Sequence, residues 1–500
     1  MNYLEILRAA APETVVVLTA LAVLTLDLLR GREKSITSRM TSSAMVTILG
    51  CVVAILWSAG SAASTRLLDG ALVVSATTQL VKQVILVLTV VTALISIQGE
   101  FTDHAGEYFA LLLFATVGML FLVSSENLLM IFLALELTSL SLYVLVAFGK
   151  RNIASAEAAL KYFLFGGMSA AFALFGFSLI YGLTGELDLR AIATKLQGHA
   201  SDSLLWVALV MTVIGFGFKI AAVPFHLWAP DAYQGAPTPS AALIAGGSKV
   251  ASFFIFARVM SLGFAGAEGS GEWRNFLPGW MPVLAVCAAL SMVLGNLGAI
   301  VQTSVKRLPA YSAIAHAGYM LLGIITAGYA GRTQQALAPL LYYAATYAIT
   351  TIGAFGVVLL VESETGNDRL TSFAGLSKRS PVAALCMMVF MLSLAGVPPL
   401  AGFVGKFYLF VAAVGATPQS LGLLWLVVLA IVTSAISLYY YLQVLKQIYV
   451  VESHQESRSR AGLTPLLAGV GLAACVVVVL GGMPTLLLDR LTAAIKLAGL

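Results

Sequence analysis

The chain is 500 residues long, 60% hydrophobic and only 10% charged. Soluble domains carry about 25% charged residues, and one soluble core stops growing near ~250–300 residues. A mean hydropathy of +0.95 therefore excludes a water-soluble fold and makes lipid the solvent. The formal net charge of +5 includes no Lys/Arg run of nucleic-acid-binding length. No nucleic-acid partner is expected, and the excess base fits loops facing an anionic cytoplasmic leaflet.

The N-terminal stretch MNYLEILRAAAPETVVVLTALAVLTLDLLR has Glu5 and Glu13 against Arg8 and no clear small-x-small cleavage site. It reads as an uncleaved first span, not a signal peptide. A spanning helix needs about 20 apolar residues. Hydropathy predicts fourteen spans, near 12–30, 41–60, 80–98, 107–124, 127–148, 158–183, 203–228, 239–262, 280–301, 309–328, 335–361, 382–413, 420–450 and 462–488. Lipid satisfies no backbone N–H or C=O, so an open chain crosses it as helices, and the expected fold is an all-α polytopic membrane protein. Loops after odd-numbered spans hold thirteen Lys/Arg (among them Arg30, Arg32, Lys34, Lys306, Arg307, Arg458 and Arg460) against eight on the other side, termini included. The positive-inside rule then places the odd loops in the cytoplasm and both termini outside.

Seven basic residues fall within spans. Lys82, Arg258 and Lys446 lie near span ends, where long side chains are expected to snorkel to the interface. Lys161 follows Glu157 at i,i+4, which suits either a local helical ion pair or a part in charge transfer. Lys219, Lys249 and Lys406 cannot reach the surface easily, and Glu136, ten residues past Glu126, is equally deep. A charge at mid-helix costs about 2.5–3.5 kcal/mol, so these four must face the protein interior, water or one another. One carboxylate cannot neutralise three ammonium groups, and the imbalance points to proton chemistry: burial favours the neutral amine, a nearby carboxylate the charged one. His226 and His316 titrate near neutrality as free groups and join the set as candidate relay members. Lys219 and Lys406 sit near helix breakers, Pro224 and Pro398–Pro399, and interrupted spans at corresponding places in two halves are a transporter pattern.

Cys51, Cys287, Cys386 and Cys475 are far apart in apolar segments and match no zinc or iron–sulfur spacing. The sequence holds no phosphate-binding or dinucleotide glycine motif, no H-E-x-x-H and no C-x-x-C. No cofactor or metal is expected on this chain, and its energy must come from a gradient or another subunit.

Four segments carry a resemblance: SAEAALKYFLFGGMSAAFALFGFSLIYGLTG (155–185), GFGFKIAAVPFHLWAPDAYQGAPTPSAALIAGGSKVA (215–251), VKRLPAYSAIAHAGYML (305–321) and AGVPPLAGFVGKFYLF (395–410). The chain resembles the antiporter-like membrane subunits of respiratory complex I over about residues 100–450. That resemblance implies two inverted five-helix repeats, helices 4–8 (107–262) and 9–13 (280–450). Helices 1–3 (1–106) precede them, helix 14 (462–488) follows, and helices 7 and 12 are broken. It implies a proton relay of Glu136, Lys219, Lys249, His316 and Lys406; His226 and Lys161 remain lesser candidates on their own placement in the sequence. A lysine at 406, where M-type members have glutamate, and an end at 500 without a long lateral helix fit an N-type member. The segment 230–240 is family-like and is expected to form a turn capping the eighth helix.

The implied activity is proton translocation within an NADH:quinone oxidoreductase of the bacterial inner membrane. NADH, FMN, iron–sulfur clusters and quinone would be handled by other subunits. M-type and K-type subunits and the lateral helix of the L-type would be its neighbours. Two rivals stand beside this: a D-type subunit of a multisubunit cation/proton antiporter, and a non-conducting membrane scaffold.

Overall fold

A computed structural model of the chain describes residues 3–30, 35–60, 64–99, 101–196, 202–452 and 465–499. After a short helix over Tyr3–Ala9, the spans follow in the predicted order. They are α1 (Ala11–Arg30), α2 (Ile36–Ala59), α3 (Ala76–Ser96), α4 (Ala105–Val123), α5 (Leu128–Val146) and α6 (Ile153–Thr184). The seventh is split into α7a (Ser203–Ile220) and α7b (Trp228–Gly235). The eighth, α8, runs over Thr238–Ala245 and Gly247–Arg258 with an interruption at Gly246. Next come α9 (Trp280–Ile300), α10 (Arg307–Ala327) and α11 (Thr333–Thr365). The twelfth is split into α12a (Pro381–Ala395) and α12b (Ala401–Ala416), and α13 (Leu424–Tyr449) and α14 (Pro465–Gly482) complete the set. Thirteen helices among the described residues are long and apolar enough to cross a membrane, and the two short pieces of the twelfth supply one more crossing.

Differences from expectation are local. Residues 230–235 belong to a helix, not a turn, because Pro230 falls in the first turn of α7b, where its missing N–H removes no intrahelical bond. The last span stops at Gly482 rather than 488, and a separate helix over Thr485–Leu497 follows. The expected start at 462, and Arg32, Lys34, Arg458 and Arg460 of the loop-charge argument, lie outside the described residues.

Burial is graded. The windows of α8, α10 and α11 are almost wholly enclosed, whereas α1, α2, α6 and α14 keep one broad apolar face outward. Lipid gives helices no hydrophobic reason to associate, so close approach at small residues and polar contacts carry the packing. The α9–α10 pair shows this: a Cβ on Gly295 would sit 2.5 Å from the Ala315 amide nitrogen, and one on Gly318 2.7 Å from the Ala288 carbonyl oxygen.

Two basic residues expected at the headgroups are buried instead. Lys82 is fully enclosed, with Nζ 2.7 Å from Oε1 of Glu13, itself 1% exposed. Glu13 is two residues into α1 and Lys82 six into α3, helices that enter from the same face, so the two side chains meet inside and neither needs to snorkel. Arg258, 2% exposed, forms an ion pair with the fully enclosed Glu126. Glu126 also holds Nε of Arg66 and Nε of Arg190, each at 3.2 Å, and Arg66 is paired in turn with Asp188. The backbone fixes this knot on the even-loop face. A hairpin of β1 (Thr65–Leu67) and β2 (Leu72–Val74) presents Arg66. The Glu126 N–H donates to Gly70, and the Glu126 carbonyl accepts from Leu189. Burial pushes the Glu126 carboxyl up, but the guanidinium groups of Arg258, Arg190 and Arg66 outweigh it and hold the group below the usual carboxylate range.

Candidate functional site

The break after α7a is built by its own sequence. Ala221 takes a left-handed conformation that ends the helix. The Phe218 carbonyl accepts from the Ala221 N–H and from the Trp228 indole, each at 3.0 Å. The Val223 N–H donates to Ser291 Oγ of α9 at 2.9 Å. Lys219 therefore lies in the last turn of a half-helix, where the aligned peptide dipoles favour a cation. Its ammonium donates to Ser139 Oγ at 2.5 Å and lies 3.6 Å from Oε1 of Glu136. Glu136 and Ser139 are three residues apart on α5, hence on one face. At 3.6 Å the carboxylate contributes mainly through charge, and Ser139 gives the ammonium a second, neutral partner.

The break in the twelfth helix repeats the arrangement with different atoms. Lys406, on α12b and 4% exposed, donates to the Leu394 and Ala395 carbonyls, the last of α12a, at 2.9 and 3.2 Å, and to Ser434 Oγ at 2.8 Å. Gly396, at φ +87°, makes the turn that aims those carbonyls, and the Lys406 side chain passes directly over it. Both lysines thus sit at the negative dipole end of a half-helix; Lys219 also has a carboxylate, and Lys406 has none among the described residues.

Lys249 is 2% exposed. Its Nζ donates to the Ala313 carbonyl of α10 at 2.7 Å and stands 5.6 Å from the Tyr347 ring centroid. Tyr347 packs 4.8 Å from the His316 ring. His316, also 2% exposed, bonds Tyr343 Oη through Nδ1 at 2.6 Å and Tyr441 Oη through Nε2 at 3.2 Å. Tyr319 lies 5.6 Å from His316 on one side, and its ring is 5.2 Å from Nζ of Lys406 on the other. A buried chain of polar and aromatic groups thus runs from Lys249 through Tyr347, His316 and Tyr319 to Lys406 and Ser434.

The structure joins the predicted residues in two groups, Glu136–Lys219 and Lys249–His316–Lys406. No hydrogen bond or ion pair among the described residues links Lys219 to Lys249. His226 lies in the break between α7a and α7b, and its buried Nδ1 has no hydrogen-bond partner; it contacts neither lysine by a hydrogen bond. Lys161 makes the expected pair with Glu157 at 2.7 Å and also one with Asp231 at 2.9 Å. Asp231 in turn holds Arg307 at 2.7 Å, so Lys161 ties α6 to α7b and α10, and no hydrogen bond or ion pair among the described residues joins it to either group. Ser139, Ser434 and the tyrosines 319, 343, 347 and 441 escaped sequence reasoning, since serine and tyrosine are common in spans; the one available signal was that Tyr343 and Tyr347 share a face of the enclosed α11.

Enclosed, ionisable side chains at two interrupted helices define a class of membrane protein, the ion translocators of transporter-like fold. The sequence pattern of the transmembrane family described as NADH:quinone oxidoreductase/Mrp antiporter matches residues 125–437. NADH-quinone oxidoreductase subunit N 2 of Acidobacterium capsulatum is 52% identical over 499 residues, 98% of this chain and 99% of that one. A chain of respiratory complex I from Thermus thermophilus superposes with a TM-score of 0.76 at 33% identity, covering 97% of this chain and all of that one. A chain of the Mrp complex from Dietzia shares the fold, with a TM-score of 0.79 at 23% identity over 98% of this chain and 97% of that one. The chain belongs to the NADH:quinone oxidoreductase/Mrp antiporter transmembrane family.

Proposed function

We propose that the chain is an N-type, proton-translocating subunit in the membrane arm of an NADH:quinone oxidoreductase, doing no redox chemistry itself. The relatives named above support the complex, and the Lys219 site carries the translocation: an ammonium held by a serine and a helix end, with its carboxylate close by. At 3.6 Å and an effective dielectric constant of about 20, that carboxylate is worth about 4–5 kcal/mol to the charged amine. An amine that loses such a partner gives up its proton more readily. In the working cycle, Lys219 is protonated and paired; a signal from neighbouring subunits draws Glu136 away. The proton then leaves Lys219 and crosses through water to Lys249, His316 and Lys406. Water must bridge the first step, where no direct contact exists.

Several finer points belong to the same proposal. Helices α4–α8 and α9–α13 form two inverted repeats, supported by the like placement of the α7 and α12 breaks. The chain sits in a bacterial inner membrane with odd loops cytoplasmic and both termini outside, supported by loop charge. M-type and K-type subunits and an L-type lateral helix are its neighbours, and the complex's NADH, FMN, iron–sulfur and quinone sites lie on other chains. Replacing Lys219 or Glu136 by Ala in the assembled complex tests the function. Proton translocation is expected to fall, as protons per electron or as coupled turnover; unchanged values of both in both variants refute it.

A further inference from the structure

One ion pair would suffice to dock the end of α8 on Glu126, yet the knot holds more. Glu126 is fully enclosed and meets three guanidinium groups, those of Arg258, Arg66 and Arg190. Asp188, paired with Arg66, supplies a second carboxylate. Three guanidinium groups against two carboxylates leave the knot one positive charge in excess. The enclosed Glu13–Lys82 pair, tied to the same segment through Ser124, is neutral as a pair and does not offset it.

Arg258 is the one buried arginine among the described residues. One of its nitrogens meets Glu126, whereas Nε and Nη1 are enclosed and have no hydrogen-bond partner among the described residues. Buried donors in that state normally hold ordered water. Arg66 and Arg190 reach outward from the same carboxylate, with 38% and 51% of their side chains exposed, so the knot joins the solvent of the even-loop face to the inner guanidinium. Lys249 lies nine residues earlier on the same helix, about 13–14 Å away along the axis. Every residue between the two is buried, and Ser252 is the one polar side chain among them.

A relay amine open to both faces at once would short-circuit the gradient it builds. Dry packing closes a path that water cannot enter. Where water does enter, a fixed positive charge is what stops a proton, as in water-filled pores that exclude protons. A buried lysine gives up its proton readily and could not serve, whereas arginine keeps its charge. Resting on the function proposed above, we infer that the Glu126 knot is an electrostatic seal against proton leak, with Arg258 as its inner charge. Hydronium arriving from the even-loop face is repelled at Arg258 before it reaches Lys249, and a proton on Lys249 is denied the same way out. Glu126 holds the guanidinium in place, and Arg66 and Arg190 keep the knot positive.

The assembled complex in proteoliposomes with an imposed pH gradient provides the test. Arg258→Met with Glu126→Gln removes both buried charges together and leaves neither unpaired. This double variant is expected to dissipate the gradient severalfold faster than the unsubstituted complex, and adding Lys249→Met is expected to remove that leak. A double variant that holds the gradient as long as the unsubstituted complex overturns the inference; so does a leak that survives Lys249→Met, which would be a packing defect. If the double variant does not assemble, Arg190→Gln decides, since it cancels the excess charge and leaves the buried pair in place: decay at least twofold faster supports the seal, and unchanged decay overturns it. Lys219→Ala runs in parallel under NADH. If it loses pumping while the sealing variants stay tight, only the seal is wrong, whereas if it pumps fully the proposed function fails.

Discussion

Replacing Glu126 by Gln removes one negative charge from the knot on the even-loop face and leaves Arg258 without a carboxylate at 2% exposure. Breaking a buried pair by removing one partner costs about 3–5 kcal/mol, and the variant should lose stability of that size. The effect should not be general to the knot. Arg190, 51% exposed, meets the same carboxylate, but its loss should cost only ~0–1 kcal/mol. Acid should reproduce the Gln variant. The folded structure holds the Glu126 carboxyl below its ordinary range, so its stabilisation is complete above the unfolded value of about 4.3 and is lost as pH falls through the lower folded value. Heat-induced release of the chain from the detergent-solubilised complex, measured between pH 7 and pH values below 4.3, reads both effects. The unsubstituted chain should lose stability on acidification by an increment that Glu126→Gln lacks. A Gln variant as stable as the unsubstituted chain at pH 7, or one with the same acid loss, would show that the knot is ornamental.

Lys82→Met alone should destabilise by a similar ~3–5 kcal/mol, and Lys82→Met with Glu13→Gln should recover most of it, because a neutral buried pair carries no desolvation cost; a double variant as unstable as the single one, in the same thermal assay, contradicts the buried pair. Gly402→Ala should disrupt the turn between α12a and α12b, since the new methyl would lie 1.9 Å from the Ser393 carbonyl oxygen. Gly167→Ala, with no atom within 4 Å, should be silent in assembly on native gels.

The spans were legible because lipid imposes one rule on every crossing helix, and the broken helices were legible because proline leaves a mark. Lys219, Lys249, Lys406 and Glu136 stood out for the same reason: a deep charge in an apolar run has few inexpensive explanations. Lys82 and Arg258 were misread because hydropathy near a helix end cannot distinguish a side chain that reaches the headgroups from one that meets a carboxylate; their partners Glu13 and Glu126 are 69 and 132 residues away. The tyrosine chain around His316 was hidden for another reason. Tyrosine is at home both in cores and at membrane interfaces, and only the packing of α10, α11 and α13 shows which hydroxyls turn inward.

The central claim is that the buried lysines work by gaining and losing protons, not by supplying fixed charge. Lys249→Arg tests it most directly, because arginine keeps the positive charge but does not release its proton. In sealed vesicles driven by NADH, the account predicts that this variant assembles and loses proton translocation. An assembled Lys249→Arg complex that pumps as many protons per electron, at the same turnover, as the unsubstituted one contradicts it.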